Sequence, residues 1–87
     1  MVDINLLRTR GYIEASTYRK KVMKELGDEY LTPTEISKRA QIKTSHISKT
    51  LFDLKQKNLI KCINEEARKG RLYHITEKGE KVRELLK

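Results

Sequence analysis

The sequence predicts a small, mainly α-helical domain that carries one β-hairpin. Three observations predict it. Apolar residues recur at helical spacing through residues 16–58. The period then shortens to two in a pair of short runs after Asn58. The 87 residues are enough to bury one modest core but not two.

Residues 1–11 are the least patterned part of the chain. Val2, Ile4 and Leu6 alternate, Leu7 breaks the alternation, and Arg8, Thr9, Arg10 and Gly11 follow. A short strand, a helical turn and a basic arm reaching a minor groove all fit that order. So does a terminus that is partly ordered, that folds back over its own domain in a monomer, or that pairs with a second chain in a dimer. The expected division is an N-terminal segment over 1–11 and a folded domain over 12–87. Ser16 is placed to cap a helix that runs to about Leu26, where Gly27 ends it. Tyr18, Val22 and Leu26 fall at i, i+4 and i+8 with Met23 beside them, an apolar stripe for packing on the helices that follow. Arg19, Lys20, Lys21 and Lys24 then face outward. Leu31 leads, through at most a very short strand, into the next helix.

Residues 32–58, TPTEISKRAQIKTSHISKTLFDLKQKN, organise the rest. Thr32 suits the cap of a helix, Pro33 its first turn, and Glu35 completes a Thr-x-x-Glu capping box. Ile36 and Ala40 share one face. Gln41, Ile42 and Lys43 cannot extend it, and a second periodic run begins at once. Ile47, Leu51 and Leu54 follow at i, i+4 and i+7, the stripe of a helix of roughly four turns. Its opposite face carries Ser45, Lys49 and Gln56, with His46 and Ser48 on the flanks. A short helix, a tight turn and a longer helix with a small, polar, basic outer face make a helix-turn-helix.

Two runs rich in β-branched and aromatic residues come next, residues 59–64 and 71–76. Between them Glu65, Glu66, Ala67, Arg68, Lys69 and Gly70 form a tip in which Gly70 supplies turn freedom. The period of two pairs Ile60 with Cys62, and Tyr73 with Ile75, on the core side. Thr76 caps a final helix from Glu77 to about Leu86, whose Val82 and Leu86 share a face with Gly79.

Charge is concentrated rather than spread. The chain carries a net +8. Residues 1–35 are neutral, residues 36–61 hold seven basic residues against Asp53 alone, and residues 62–87 hold seven against five acidic. The excess therefore lies on the helix-turn-helix, where a polyanion would dock. Other chemistry finds little footing. Cys62, His46 and His74 lack the paired short spacing of zinc sites, and Cys62 reads as a small buried hydrophobe. Glu65 and Glu66 sit on a hairpin as solvated turn charges. There is no glycine-rich phosphate loop, so no enzyme, cofactor or metal is expected. No run of eighteen apolar residues exists to span a membrane. The start of the chain lacks the basic and apolar regions of a secretory signal. A single cysteine suits a reducing compartment, so the expected location is cytoplasmic and nucleoid-associated.

Helix, helix-turn-helix, basic hairpin and final helix together resemble the winged-helix DNA-binding domain. The chain is similar to small prokaryotic regulators of the MarR, ArsR and PadR type, especially short archaeal members. The residues that carry the likeness are LTPTEISKRAQIKTSHISKTLFDLKQKNLIK and the hairpin ending in GRLYHITEKG, which together cover residues 31–80. The resemblance implies a winged helix-turn-helix fold and a transcription regulator that binds double-stranded DNA. Thr44 to Lys57 would be the recognition helix in the major groove, and Glu65 to Arg71 the wing on the adjacent backbone or minor groove. By position, Thr44, Ser45, His46, Ser48 and Lys49 would face the groove, and Arg68, Lys69 and Arg71 would make the wing's contacts. One residue departs from the pattern. Where such families usually place a polar or basic side chain, this chain has Phe52, about 140 degrees round the helix from Ile47.

The residue types leave several roles open. Lys49 has the donors for guanine O6 and N7 or for a phosphate. Thr44 and Ser45 suit phosphate, aided by the free N–H groups of a helix start. His46 fits a base edge or a plain surface position. Asp53 fits an ion pair with Lys49 or Lys57, or acceptance from cytosine N4. Three functions follow: a sequence-specific regulator, expected as a homodimer on inverted repeats with its effector unknown; a winged helix that binds RNA, or DNA without sequence preference; and a protein-interaction module. The charge favours the first two. Phe52 favours the third.

Overall fold

The computed structural model describes residues 3–86; Met1, Val2 and Lys87 lie outside the described residues. Five helices and a two-stranded antiparallel hairpin follow one another as α1 (Ile4–Glu14), α2 (Thr17–Leu26), α3 (Pro33–Ala40), α4 (Thr44–Gln56), β1 (Ile60–Cys62), β2 (Tyr73–Ile75) and α5 (Glu77–Leu85). The arrangement is mainly helical with a small hairpin, as the sequence predicts.

The largest surprise is α1. The segment that the sequence leaves between strand, turn and arm is a three-turn helix, and a boundary between residues 11 and 12 falls inside it. Asp3 caps it, accepting from the Asn5 N–H at 2.9 Å and the Leu6 N–H at 3.4 Å. Its inward face is Leu6, Thr9 and Ile13, at i, i+3 and i+7. Thr9 hides that period, because a threonine does not read as apolar. Buried here, its hydroxyl donates back to the Asn5 carbonyl at 2.8 Å, so no polar atom is stranded. Through this face α1 packs on α5 and α2.

Ser16 caps α2 by accepting from the Arg19 N–H at 3.2 Å. Gly27 ends the helix with φ 54° and ψ −136°, a backbone state that disfavours any side chain. Val22, Met23 and Leu26 are buried, but Tyr18 is not, being 40% exposed. Arg19 also departs from expectation: it folds inward, its side chain only 22% exposed.

The capping box of α3 is complete. Thr32 Oγ1 accepts from the Glu35 N–H at 3.2 Å, and the Thr32 N–H donates to Glu35 Oε1 at 2.9 Å. These bonds from Thr32 hold the Glu35 carboxyl below the ordinary carboxylate range. Gln41 turns the chain through the left-handed region, φ 56°. The turn is pinned there, since Ser37 Oγ donates to the Ile42 carbonyl and the Ile42 N–H donates to the Ser37 carbonyl at 3.1 Å. Ile42 is thereby buried, and α4 departs with Ile47, Leu51 and Leu54 against the core. Each such side chain contributes about 1.5–3 kcal/mol on full burial.

In the hairpin, Ile60 faces Ile75, Lys61 faces His74 and Cys62 faces Tyr73. Ile60 and Ile75 are buried, while Cys62 and Tyr73 are half-buried. Leu31 adds the short strand before α3. Its N–H donates to the Tyr73 carbonyl at 3.0 Å and its carbonyl accepts from the Tyr73 N–H at 2.8 Å. Thr76 starts α5, accepting from the Gly79 N–H at 3.0 Å and donating to the Asn58 carbonyl at 2.6 Å. Gly79 is required by space. A Cβ there would lie 2.2 Å from the Leu59 carbonyl oxygen and 2.6 Å from Ile75 Cγ1.

Candidate nucleic-acid interface

Because Ile47, Thr50, Leu51 and Leu54 face the core, the opposite face of α4 is left to solvent. Thr44, Ser45, His46, Ser48 and Lys49, the residues singled out in the sequence, are all exposed on its first two turns. Lys43 occupies the cap position with no side-chain hydrogen bond to the helix start. Buried Thr50 donates its hydroxyl to the His46 carbonyl at 2.9 Å, which accounts for its polarity.

Lys49 is oriented rather than loose. Its ammonium lies 2.9 Å from Asp53 Oδ1, so Asp53 pairs with Lys49 and not with Lys57. The other Asp53 oxygen is 3.7 Å from Arg19. Arg19 in turn stacks 3.8 Å over the Tyr12 ring and donates to the Tyr12 carbonyl at 2.8 Å. Lys57 lies 5.0 Å from the centre of that same ring. A relay of charge and ring thus ties α4 to α2 and to the end of α1. His46 has its own neighbour in Tyr18, at 5.2 Å between ring centroids. That contact explains why Tyr18 stands outside the core, and it carries α2 to the edge of the same face.

The wing is built by a residue the sequence did not single out, Asn64. Its Oδ1 accepts from the Leu72 N–H at 2.7 Å, and its Nδ2 donates to the Gly70 carbonyl at 3.1 Å. Gly70 turns with φ 68°. Arg71 braces the tip, its Nε donating to the Ala67 carbonyl at 2.8 Å. Arg68 and Lys69 are exposed on the tip. The wing is joined to α4 by an ion pair of Lys55 with Glu65. The hydrogen bond in that pair raises the Lys55 ammonium above its ordinary range and holds the Glu65 carboxyl below its own. Between α4 and the wing runs a groove of about 290 Å³ lined by Pro33, Ser48, Leu51, Phe52, Lys55, Arg71 and Tyr73.

Among the described residues no three His, Cys, Asp or Glu side chains converge as a metal site, and no helix is long and apolar enough to cross a membrane.

A family model described as winged helix-turn-helix matches residues 19–87, a span that takes in nearly all of α2 and every later element and leaves α1 outside. No curated protein matches the chain.

Proposed function

The chain belongs to the winged helix-turn-helix family, a family of DNA-binding domains, and we propose that it is a DNA-binding transcriptional regulator acting in the cytoplasm on the nucleoid. In this reading α4, continued to Lys57, enters the major groove. There Thr44, Ser45, His46, Ser48 and Lys49 meet base edges and phosphates. Arg68, Lys69 and Arg71 of the wing hold the adjacent backbone or minor groove. One observation carries the proposal above the rest. The unburied face of α4 and the basic wing are tied into one surface by Lys55 and Glu65, within a stretch that holds most of the chain's excess positive charge. The winged helix-turn-helix match over residues 19–87 supports the DNA-binding part of the same conclusion.

Selection from a random duplex pool tests it. A specific regulator enriches a defined motif, and Lys49→Ala or His46→Ala then changes the preferred bases, a lost base contact costing about 1–3 kcal/mol. Uniform recovery of all sequences would instead mean a binder without sequence preference.

The regulator is proposed to act as a two-fold dimer. Ile4 and Leu7 stand 64% and 41% exposed on α1, one turn apart, and a second copy of α1 would cover them. Recognition helices spaced about 34 Å apart would then meet successive major grooves. Sedimentation equilibrium checks this. A dimer that Ile4→Glu with Leu7→Glu dissociates is expected, and a monomer both free and on DNA refutes it.

A further inference from the structure

On the reading that α4 enters the major groove, the geometry points to Phe52 as a reader of the thymine 5-methyl group. Phe52 is the only phenylalanine in the chain, and it is 56% exposed. It follows Ser45 by seven residues and Ser48 by four, so the three share one face of α4. The core stripe of Ile47, Leu51 and Leu54 is complete without it. Among the residues of that outer face, Ser45, Ser48, Lys49 and Gln56 can all hydrogen-bond to a base or phosphate. Phe52 alone cannot.

Its surroundings say what it would meet. The ring stands at the groove between α4 and the wing, beside Leu51 and Tyr73, with Lys55 and Arg71 on the rim. The Lys49 ammonium lies 5.8 Å from the ring centre. Of the cations around the ring, Lys49 is paired with Asp53, Lys55 with Glu65, and Arg71 Nε donates to the Ala67 carbonyl, so the ring lies in a polar, basic surround rather than in a wide apolar patch of the kind that a protein face covers. On the reading that α4 enters the major groove, that surround lies along the phosphates while the ring meets the base edges. Of the groups that the four base pairs display in the major groove, the thymine methyl is the apolar one. Covering it removes apolar surface from water on both partners. The specificity assigned to Phe52 is therefore for T·A at one step of the site, read by shape rather than by hydrogen bonds.

The test uses the whole chain and the best duplex recovered from the random pool. Each thymine is replaced singly by deoxyuridine, which keeps every hydrogen-bonding atom and removes only the methyl. Binding is then followed by fluorescence anisotropy. At one or two positions the unaltered protein should lose about fourfold in affinity, the value of one buried methyl group. At those positions Phe52→Ala should bind the thymine and uracil forms equally, while Phe52→Leu should keep a preference for thymine. Circular dichroism of both variants checks that the fold is intact. Indifference to every replacement overturns the inference, as does a selected site without thymine. Discrimination that survives in Phe52→Ala also overturns it, and a fall in sedimentation mass in that variant would make the ring a contact between protein chains. These outcomes leave DNA binding standing. Failure to bind any duplex removes the underlying reading and this inference with it.

Discussion

Replacing Gly79 by alanine should destabilise the domain that carries the candidate interface. Two effects oppose each other. Alanine in a helix is favoured over glycine by up to about 1 kcal/mol, which alone would stabilise α5. Against that, the new Cβ would lie 2.2 Å from the Leu59 carbonyl oxygen and 2.6 Å from Ile75 Cγ1. The first contact is with backbone, so a side-chain rotation cannot relieve it. Forced shifts of this kind cost about 1–3 kcal/mol. The same carbonyl accepts from the Thr76 N–H at 3.0 Å, and losing that bond adds about 1 kcal/mol. The net expectation is a loss of about 1–3 kcal/mol, or roughly 5–20 °C in Tm for a domain this size. Thermal and urea denaturation followed by circular dichroism give both quantities. A Gly79→Ala protein as stable as the original would refute the steric argument and the close packing of α5 on the start of β1.

Two further perturbations test the interface and the helix before it. Glu65→Gln should free Lys55 for a phosphate and make the slope of log affinity against log salt steeper by about 0.9; an unchanged slope would mean that Lys55 does not face the DNA. Thr32→Ala should cost about 1 kcal/mol by removing the cap of α3. It should also reduce a pH dependence without abolishing it, because the backbone N–H of residue 32 still donates to Glu35. The Glu35 carboxyl is held below its ordinary 4.5 in the folded chain, so its contribution is present above that value and lost as the pH falls through the folded value. Denaturation midpoints between pH 7 and pH 3 should diverge less between the two proteins as the acid limit is approached, and a constant difference would remove Glu35 from the account.

Much of the fold is legible because local chemistry and tertiary structure agree. The caps at Ser16, Thr32 and Thr76, the stop at Gly27 and the stripe of Ile47, Leu51 and Leu54 all act where the sequence predicts. The helix α1 was hidden because Val2, Ile4 and Leu6 mimic the period of a strand, while the true inward face includes a threonine. Tyr18 and Arg19 depart from the sequence pattern for a related reason. Each is placed by a partner distant in sequence, His46 for the tyrosine and Tyr12 with Asp53 for the arginine. Within the candidate interface, the Lys49–Asp53 pair follows from i, i+4 spacing on a helix. The Lys55–Glu65 pair does not, since it closes only once the hairpin has folded back on α4. Asn64 is not legible in the sequence because its role is to bond backbone groups across the tip, which composition does not reveal.

In the proposed function, one continuous surface of α4 and wing binds duplex DNA through its cations. This is tested most directly by the salt dependence of binding to the selected duplex, measured for the original chain and for Arg68→Ala with Lys69→Ala. Four to eight phosphate contacts correspond to a slope of roughly −4 to −7, and removing two wing cations should flatten it by about 1.8. A salt-independent affinity, no binding at low salt, or an identical slope in the wing variant would contradict the account.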